Sequence, residues 1–412
     1  MGDGLRIVLA HSYYRSRGGE DVVFENERDL LRSYGHSVFS FTRHNRSLTH
    51  CSPIEAAAST LWNADASGKL RALIRDSGAQ IVHFHNTFPL LSPATIRAAH
   101  AEGAAVVATL HNYRLICPAG TLFREGKLCT SCADNHRLWK AVANRCYRGT
   151  AAASLAAAGT TALHRSVRTW SRCVNRFIAV SAQVKRRHEE HQFFRGRIRV
   201  KANFVDPDPG VGPGDGGYAL FAGRLTAEKG IQVLLDALRE IVRHLPVLIA
   251  GDGPMAHSVE AAALRLQGVT WLGELPQSRV LELMGRATVV LVPSMWEEPF
   301  GRTVIEAFAR GTPVVASDRG ALPDLVTDGV NGMIVGAGDP VGLAGAVRCL
   351  ASDCAGLAPM RAAARAAYVA NFGPERAYWD LLDIYQEAMA DRARPSGHSW
   401  LLGPSDHVEA LT

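Results

Sequence analysis

Short apolar runs alternate with stretches of helical spacing along most of the chain. In the first half, the apolar runs Leu5–Ala10, Gln80–His85 and Ala105–Leu110 are separated by the helical stretches Val22–Tyr34 and Pro93–Ala101. Alternation of this kind predicts a parallel sheet with helices on both faces. We therefore expect a doubly wound α/β fold.

A Gly/Pro-rich segment divides the chain, and the same alternation restarts after it. We predict a first domain over residues 1–205, a linker over 206–217 and a second domain over 218–372. A closing amphipathic helix over 373–390 is expected to pack back on the first domain, and 391–412 is expected to be a loose tail. Two such domains leave a cleft at the carboxyl ends of their strands, where we look for chemistry.

Composition excludes a disordered chain, since 47% of the residues are hydrophobic. The net charge of +6 divides unevenly: residues 1–200 hold 28 Lys+Arg and 14 Asp+Glu, and the remainder holds 17 and 25. These balances of +14 and −8 suggest different partners for the two halves, although a solvated surface explains a charge bias equally well. The sequence shows no bilayer-spanning stretch or signal-peptide core, so we expect a cytoplasmic protein.

The clearest motif is EPFGRTVIE, which begins at Glu298 and ends at Glu306. It follows a strand run and leads into a helix that we expect to start near Gly301. The amides of Phe300, Gly301 and Arg302 would then offer an anion site at a helix start. Carboxylates accept hydrogen bonds from hydroxyl groups, so the two glutamates suit sugar and ribose. The alternative is an ordinary helix with surface glutamates.

A second motif, GRLTAEKG, places Arg224 and Lys229 on either side of a turn that follows a strand. Arginine offers a planar fork and lysine a mobile point charge, so both could contact one diphosphate. Alone, such residues are more often an ordinary surface pair. The nearby segment IAGDGP is a tight turn rather than a phosphate-binding loop, because no GxxxxGK[ST] pattern occurs.

Together these motifs resemble the retaining glycosyltransferases of family 4, whose GT-B fold has two Rossmann-like domains facing across a cleft. The resemblance rests on GRLTAEKG, LIAGDGP, LGELP, PSMWEEPFGRTVIEAFARGTPVVAS and NGMIV in the second half, and on RGGE and TLHNY in the first. It covers the chain up to the tail. The two glutamates fit the EX7E spacing of that family.

The resemblance implies roles for the residues that carry it. Glu306 would bind the ribose hydroxyls of a nucleotide donor, and Glu298 would hold hydroxyls of the donor sugar. Arg224 and Lys229 would neutralise the leaving diphosphate, as would the amides at the helix start. Leu275 would lie near the nucleobase.

Residues of the first half would complete the site. Gly18 and Gly19 would let the first loop come close to the diphosphate and the acceptor. His111 would lie at the reacting centre. A histidine can act as a base near neutral pH, but a strand-end histidine is often structural, and we favour contact and orientation.

The implied reaction moves a sugar from a nucleoside-diphosphate-sugar to an unidentified acceptor hydroxyl, with retention at the anomeric carbon. A departing phosphate oxygen would take the acceptor's proton. It would serve polysaccharide, glycolipid or natural-product glycoside synthesis. No cofactor is required, because the positive groups replace a metal, and Asp206-Pro-Asp208 is interpreted as a turn. The alternatives are a sugar-nucleotide isomerase or hydrolase of the same fold, and a non-catalytic sugar-nucleotide-binding module.

Four of the eight cysteines cluster in an insert over residues 114–148. Cys117, Cys129, Cys132 and Cys146 have the spacing C-x11-C-x2-C-x13-C. The central CxxC with two flanking thiols fits a structural Zn²⁺ site, which would fold a segment with little apolar content. The alternative is four reduced cysteines in a loop.

An arginine ridge is predicted on a helix over Leu163–Phe177, where Arg165, Arg168, Arg172 and Arg176 recur at helical spacing. Such a face could contact an anionic membrane surface as a peripheral partner. A solvated face over a packed helix is an equal alternative. Nucleic acid is not expected, because no base-stacking motif accompanies the arginines.

Overall fold

The computed structural model describes residues 4–14, 17–46, 52–134, 137–352 and 354–393. Within these ranges the chain forms two α/β domains. Each contains a sheet of six strands, and all neighbouring strands within it are parallel. The predicted α/β fold class is confirmed.

The first domain holds eight of the described strands, and the central ones are buried on both faces. The strands are Arg6–Tyr13 (β1), Ser37–His44 (β2), Ile81–Asn86 (β3), Ala105–Leu110 (β4), Phe123–Arg124 (β5), Lys127–Leu128 (β6), Arg176–Ala179 (β7) and Ile198–Val200 (β8). The main sheet has the order β2-β1-β3-β4-β7-β8, and β5 and β6 form a separate hairpin. Continuous apolar runs suit these strands because helices cover both sides.

Eight α-helices of this domain lie among the described residues. They are Gly19–Ser33 (α1), Pro53–Leu61 (α2), Ala64–Ser77 (α3), Ala94–Ala101 (α4), Trp139–Ala143 (α5), Ala151–Ser166 (α6), Thr169–Cys173 (α7) and Ala182–Glu189 (α8). A short 3-10 helix, Gln192–Phe194, follows α8. The hairpin and α5 belong to the Cys-rich insert, which packs through α5 against α6.

The second domain repeats the plan. Its strands are Ala219–Ala222 (β9), Val247–Ala250 (β10), Val269–Gly273 (β11), Val289–Val292 (β12), Val314–Ser317 (β13) and Gly332–Val335 (β14). Its helices, with the closing helix, are Ile231–Ile241 (α9), Ala256–Arg265 (α10), Gln277–Arg286 (α11), Arg302–Ala309 (α12), Leu322–Leu325 (α13), Pro340–Ser352 (α14), Cys354–Asn371 (α15) and Pro374–Ala393 (α16). The sheet has the order β11-β10-β9-β12-β13-β14.

Each sheet has a point at which the strand order reverses. In the first sheet β1 lies between β2 and β3, and in the second β9 lies between β10 and β12. Loops that leave neighbouring strands at such a point diverge to opposite faces and open a crevice at the carboxyl ends. The loops after β1, β9 and β12 carry Gly18, Lys229 and Glu298, so three of the predicted motifs lie at these reversals.

Helix α16 returns from the second domain to the first. It buries Tyr378, Leu381 and Tyr385 in the same apolar cluster as Ile7 and Leu9 of β1. The two chain crossings between the domains also touch one another, since Val205 N–H donates to the carbonyl of Phe372 at 3.1 Å. The Tyr368 hydroxyl donates to the carbonyl of Val205 at 3.0 Å.

The linker over residues 206–217 lacks regular secondary structure but is attached along the second domain. Arg361 donates to the carbonyl of Gly212 at 2.9 Å, and Arg365 forms an ion pair with Asp208. Gly214 N–H donates to the carbonyl of Gly285 at 2.9 Å. The carboxylate of Asp208 is therefore engaged with an arginine.

The prediction of one helix over Leu163–Phe177 is wrong. Helix α6 ends at Ser166 and α7 begins at Thr169, because Arg168 adopts the left-handed conformation (φ 56°) between them. Arg165 turns inward and donates to the carbonyl of Leu115, whereas Arg176 lies in β7. The four arginines do not share a helix face, and membrane association stays a prediction without that support.

No single helix in the described ranges is long and apolar enough to cross a membrane. One bent pair, α14 with residues 356–393, passes the same test of length and composition jointly, with a bend of 108°. The predicted loose tail falls largely on residues 394–412, which lie outside the described residues.

A buried histidine should make the protein sensitive to acid. His188 is fully buried, its Nδ1 lies 2.8 Å from the Val184 carbonyl, and burial lowers its pKa to about 4. Below about pH 6.5 His188 therefore binds a proton in the unfolded chain, whereas in the folded chain it stays neutral until the pH approaches 4. Stability from this group is complete above that pH and declines as the pH falls towards the folded value.

We expect the wild-type protein to lose roughly 2 kcal/mol more stability between pH 7 and pH 5 than His188→Gln does, since each pH unit in this window is worth about 1.4 kcal/mol. Calorimetric unfolding at the two pH values measures the difference. The variant His257→Gln, in which an exposed histidine is replaced, should behave as wild type. Equal losses in wild type and His188→Gln would contradict the expectation.

Candidate functional site

The carboxylate of Glu298 is buried in the loop between β12 and α12. Lys229 Nζ lies 2.9 Å from both of its oxygens, and Ser294 Oγ and Trp296 Nε1 donate to Oε2 at 2.9 and 2.8 Å. Burial alone would raise the pKa of Glu298, but the charge and hydrogen bonds of Lys229 and its neighbours lower it. Glu298 is therefore an anion held by a cation and two neutral donors.

Lys229 ends a 3-10 turn after β9, and the next residue fixes this turn against the Glu298 loop. Gly230 has φ 76°, and a Cβ there would lie 1.7 Å from the carbonyl oxygen of Pro293. Only glycine permits this approach. The Lys229 ammonium lies 5.3 Å from the centre of the Trp296 ring and keeps about a quarter of its side chain exposed.

Arg224 lies just before the same turn, and no described contact joins its side chain to the buried pair. Its side chain is 71% exposed, and its guanidinium is 3.7 Å from the carboxylate of Glu228. A long exposed arginine in this position can change rotamer at low cost, unlike Lys229. The structure thus places Arg224 beside the site without joining it to Glu298.

Glu306 lies one turn into α12 and is paired within that helix. Arg302 Nη2 is 2.7 Å from Glu306 Oε1, and Arg302 Nη1 donates to the carbonyl of Gly19 in the first domain at 3.1 Å. Arg302 thus connects the start of α12 to the first loop. From the sequence, only the backbone amide of Arg302 was predicted to take part in the site, and this side-chain contact was not predicted.

The start of α12 is fixed by packing. Phe300 is buried against Phe372, and Gly301 caps the helix with φ 108°. A Cβ at Gly301 would lie 2.8 Å from a methyl group of Leu322. The N–H groups of the first helical turn have no carbonyl within the helix to accept them, so this end carries partial positive charge.

The first loop is tied to both β1 and β4. Gly18 N–H donates to Asp21 Oδ2 at 2.8 Å, and Asp21 Oδ1 contacts His11 Nε2 at 2.7 Å. Glu20 accepts hydrogen bonds from the Tyr14 hydroxyl at 2.8 Å and from Asn112 Nδ2 at 2.6 Å. These bonds hold Gly19 against Arg302.

His111 follows β4 and lies in a pocket that Asn86, Phe88 and Arg114 also line. Its Nε2 is 3.1 Å from Nδ1 of His85. Burial, with a smaller contribution from the neighbouring His85, holds the pKa of His111 well below its usual range. The imidazole is therefore neutral at physiological pH.

The predicted residues form a continuous series of contacts. Lys229 binds Glu298, the Glu298 loop leads to Arg302, Arg302 binds Gly19, and the neighbouring Glu20 binds Asn112 beside His111. The motifs of the two domains thus meet in one crevice. Leu275 packs, partly buried, at the edge of the apolar core before α11.

The four clustered cysteines are reduced, and the sulfur groups influence one another. Cys117 and Cys132 are buried, Cys129 and Cys146 are partly buried, and none is in a disulfide. Burial, then the neighbouring thiols of Cys117, Cys146 and Cys129, raises the pKa of Cys132 to about 11. The sulfurs are not at metal-binding spacing, since no three of these four lie within 4.8 Å of one another.

Several contacts around the site were not predicted. The loop before α12 is held by the first domain, where Ser181 Oγ donates to the carbonyl of Pro299 at 2.6 Å and Gln183 binds Glu297. Behind His111 lie His83 and His85. The alternation of residues in β3 places both histidines on one face of the strand, a signal that the sequence did contain.

Two family models match the chain. "Glycosyltransferase Family 4" matches residues 17–209, and "Glycosyl transferases group 1" matches residues 216–353. The matched ranges contain both glutamates of the EX7E motif and also Gly18 and Gly19. The chain belongs to the family 4 glycosyltransferases.

Curated relatives of this glycosyltransferase family member match over part of their length. Glycogen synthase of Mycobacterium tuberculosis is 32% identical over 198 residues, which are 47% of this chain and 47% of the relative. D-inositol 3-phosphate glycosyltransferase of Xylanimonas cellulosilytica is 36% identical over 191 residues, or 45% of each chain. The chain spans about half the length of these relatives.

Solved structures share the fold over nearly the whole chain. HepE of Anabaena, solved in complex with UDP, superposes with a TM-score of 0.66 at 18% identity and covers 93% of this chain and 100% of its own. Sucrose-phosphate synthase from Thermosynechococcus elongatus gives 0.70 at 19% identity, with 94% and 99% covered. The predicted GT-B fold of this family 4 member is confirmed.

Proposed function

We propose that this protein is a retaining glycosyltransferase that moves a hexosyl group from a nucleoside-diphosphate-sugar to an acceptor hydroxyl. The observation that carries the proposal is the pair of anchored carboxylates at one helix start. Glu298 is held by Lys229 before α12, and Glu306 is held by Arg302 inside it. Hydroxyl-accepting groups thus flank a positive helix end, which is the arrangement that a sugar diphosphate needs.

The diphosphate would lie between the α12 amides and the cations of the preceding turn. Lys229 is in place, and the exposed Arg224 can swing towards a bound anion. Positive groups aimed at the charge that develops on the leaving diphosphate lower the barrier to transfer. Glu306 would bind the ribose and Glu298 the sugar hydroxyls. Leu275 would line the nucleobase side.

Among possible nucleobases of the donor, uracil is the first to test, with UDP as the ligand. HepE of Anabaena has been solved with UDP and with UDP-glucose. Gly18 and Gly19 would let the first loop approach a bound diphosphate, and Gly19 already contacts the Arg302 side chain at the start of α12. The acceptor would enter on the first-domain side, near His111 and the Cys-rich insert.

Retention is proposed to depend on the leaving group. The acceptor oxygen bonds to the anomeric carbon as the bond from that carbon to the phosphate oxygen breaks, and this phosphate oxygen takes the acceptor's proton. Glu298 is a poor candidate for a nucleophile because three donors already occupy its oxygens. His111 would orient the acceptor as a neutral hydrogen-bonding group. No cofactor enters this chemistry.

We also propose a structural zinc site in the insert. The four cysteines form no disulfides and lie near enough to raise the pKa of Cys132, although no three sulfurs lie within 4.8 Å of one another, and Cys129 of the CxxC pair follows the β5–β6 hairpin. Zn²⁺ would draw the thiolates together and remove the cost of crowding them. The metal would stabilise the acceptor-side surface and take no part in transfer.

Replacing the groups proposed to bind the nucleotide should weaken its binding. We expect Lys229→Ala and Glu306→Gln each to weaken UDP or GDP affinity about tenfold to a hundredfold, because hydrogen bonds to charged groups are worth roughly 1.5–3 kcal/mol. Isothermal titration measures the affinities, and Arg243→Ala, which removes an exposed arginine elsewhere in the second domain, is the matched control. Unchanged affinity in both variants would refute the donor site.

Replacing Glu298 should affect transfer more than nucleotide binding. We expect Glu298→Gln to lower kcat at least about tenfold while nucleotide affinity changes little, since this group is proposed to hold the reacting sugar. Steady-state transfer assays paired with titration separate the two effects. Glu282→Gln on the surface of α11 serves as control. Loss of nucleotide affinity with normal kcat would reverse the assignment.

Elemental analysis tests the zinc site. We expect one zinc ion per chain in protein purified under reducing conditions, and loss of that zinc in the double variant Cys129→Ser, Cys132→Ser. Cys349→Ser, which replaces an exposed cysteine on α14, should retain it. Wild-type protein that is free of zinc and takes up none on dialysis would refute the site.

A further inference from the structure

A buried row of polar side chains runs from His111 to an ion pair between Glu27 of α1 and Lys201, the residue after β8. His111 Nε2 lies 3.1 Å from His85 Nδ1, His85 Nε2 lies 3.3 Å from Glu27 Oε2, and Glu27 Oε1 lies 2.7 Å from Lys201 Nζ. None of the four is more than 9% exposed. The row connects the predicted reacting centre to an ion pair that no part of the proposed reaction uses.

The direction of these hydrogen bonds follows from the charge on Glu27. Burial would raise the pKa of this carboxyl group, but the Lys201 ammonium and then His85 hold it well below its usual range. An ionised carboxylate can only accept hydrogen bonds. Lys201 donates a hydrogen bond to Oε1, and any group that is hydrogen-bonded to Oε2 must also be a donor.

Among the described residues, His85 is the group best placed to donate a hydrogen bond to Oε2. Glu27 Oε2 and His85 Nε2 are both buried and have no hydrogen-bond partner among the described residues, and they lie 3.3 Å apart, so a proton on His85 Nε2 would serve both atoms. His83 also approaches Oε2, at 3.7 Å, but its two nitrogens already contact the Tyr385 hydroxyl at 2.9 Å and Thr109 Oγ1 at 2.7 Å. His85 therefore carries its proton on Nε2.

The proton on His85 Nε2 determines the tautomer of His111. A neutral imidazole with a proton on Nε2 has a bare Nδ1, so His85 Nδ1 accepts from His111. The proton of His111 is then on Nε2, and its Nδ1 is a bare acceptor. Nδ1 of His111 is not among the buried polar atoms that lack partners, and no described residue binds it, so it is accessible from the pocket.

We propose that Glu27, anchored by Lys201, is a positioning residue that fixes the tautomer of His111 through His85. His111 thereby offers a hydrogen-bond acceptor, and not a donor, to the entering hydroxyl group. The part that concerns the acceptor rests on the proposed function, whereas the tautomer can be measured without any substrate.

Two substitutions should reverse the tautomer. In Glu27→Gln, the amide oxygen faces Lys201 and the amide nitrogen faces His85, so His85 Nε2 must accept and the proton of each ring moves to Nδ1. In Lys201→Met, the buried carboxyl group becomes protonated and donates to His85, with the same result. Lys201→Arg keeps the cation and should keep the wild-type tautomer.

Long-range proton–nitrogen correlation spectra of histidine-labelled protein distinguish the two neutral tautomers. The His111 signals are assigned by their absence in His111→Gln. We expect the Nε2-protonated form in wild type and Lys201→Arg, and the Nδ1-protonated form in Glu27→Gln and Lys201→Met. Glu25→Gln, on the outer side of the same helix, is the matched control and should match wild type.

Transfer kinetics supply a second measurement. We expect kcat to fall at least tenfold in Glu27→Gln, with nucleotide affinity changed less than twofold, and to be unchanged in Glu25→Gln. An identical His111 tautomer in wild type and both reversing variants would overturn the inference even if transfer activity is confirmed. The expected reversal would uphold it even if no donor sugar is accepted.

Metal analysis tests the alternative that Glu27, His83 and His85 bind a cation. Ligand atoms of Glu27, His83 and His85 lie within 4.8 Å of one another, which is a spacing that a cation could use. The ammonium of Lys201 on Glu27 disfavours a second cation there. A metal that is bound stoichiometrically in wild type and lost in Glu27→Gln would overturn the proposal, whereas equal metal content in both agrees with it.

Discussion

The ion pair between Lys229 and the buried carboxylate of Glu298 determines how the crevice is built. A carboxylate removed from water is costly unless a cation and further donors compensate it. Here the compensation comes from two loops that leave different strands, β9 and β12, at the reversal of the second sheet. If either loop moved away, the Glu298 carboxylate and the Lys229 ammonium would each lose the opposite charge that compensates it. The ion pair therefore holds both loops against the start of α12.

This arrangement also means that the charged side chains of the site are preorganised before any ligand binds. Lys229 is held by Glu298, and Arg302 is held by both Glu306 and the Gly19 carbonyl. A sugar diphosphate would therefore exchange partners with groups already in position and would order few side chains, which reduces the entropic cost of binding. Arg224 is different, since it extends into solvent and would have to be ordered by the ligand.

Much of the fold could be predicted from the sequence because hydrophobic alternation and Gly/Pro punctuation are local signals. The parallel strands β1, β3 and β4 are apolar runs that only a covered sheet can bury. The break at Arg168 could not be predicted, because the arginine spacing imitates a helix and only the packing of α6 and α7 selects a left-handed residue there. Short strands such as β8 were also missed, since three residues give little periodicity.

For the site, residues within one motif were identifiable, while partners far apart in sequence were not. Glu298 and Glu306 are recognisable from their spacing, but Lys201 reaches Glu27 across 174 positions. Such pairs depend on strand order, which the local pattern does not specify.

The two chain crossings at Val205 and Phe372, joined by a hydrogen bond, restrict how the lobes can move. Two adjacent backbone segments joined by a hydrogen bond form a hinge. They allow the two domains to rotate about one axis and resist twisting or sliding of one domain against the other. Since the linker beyond Val205 is fastened to the second lobe, the pivot cannot spread along it. Opening of the cleft then requires contacts of the first domain to part, among them Gly19 from Arg302, Ser181 from Pro299, and Gln183 from Glu297.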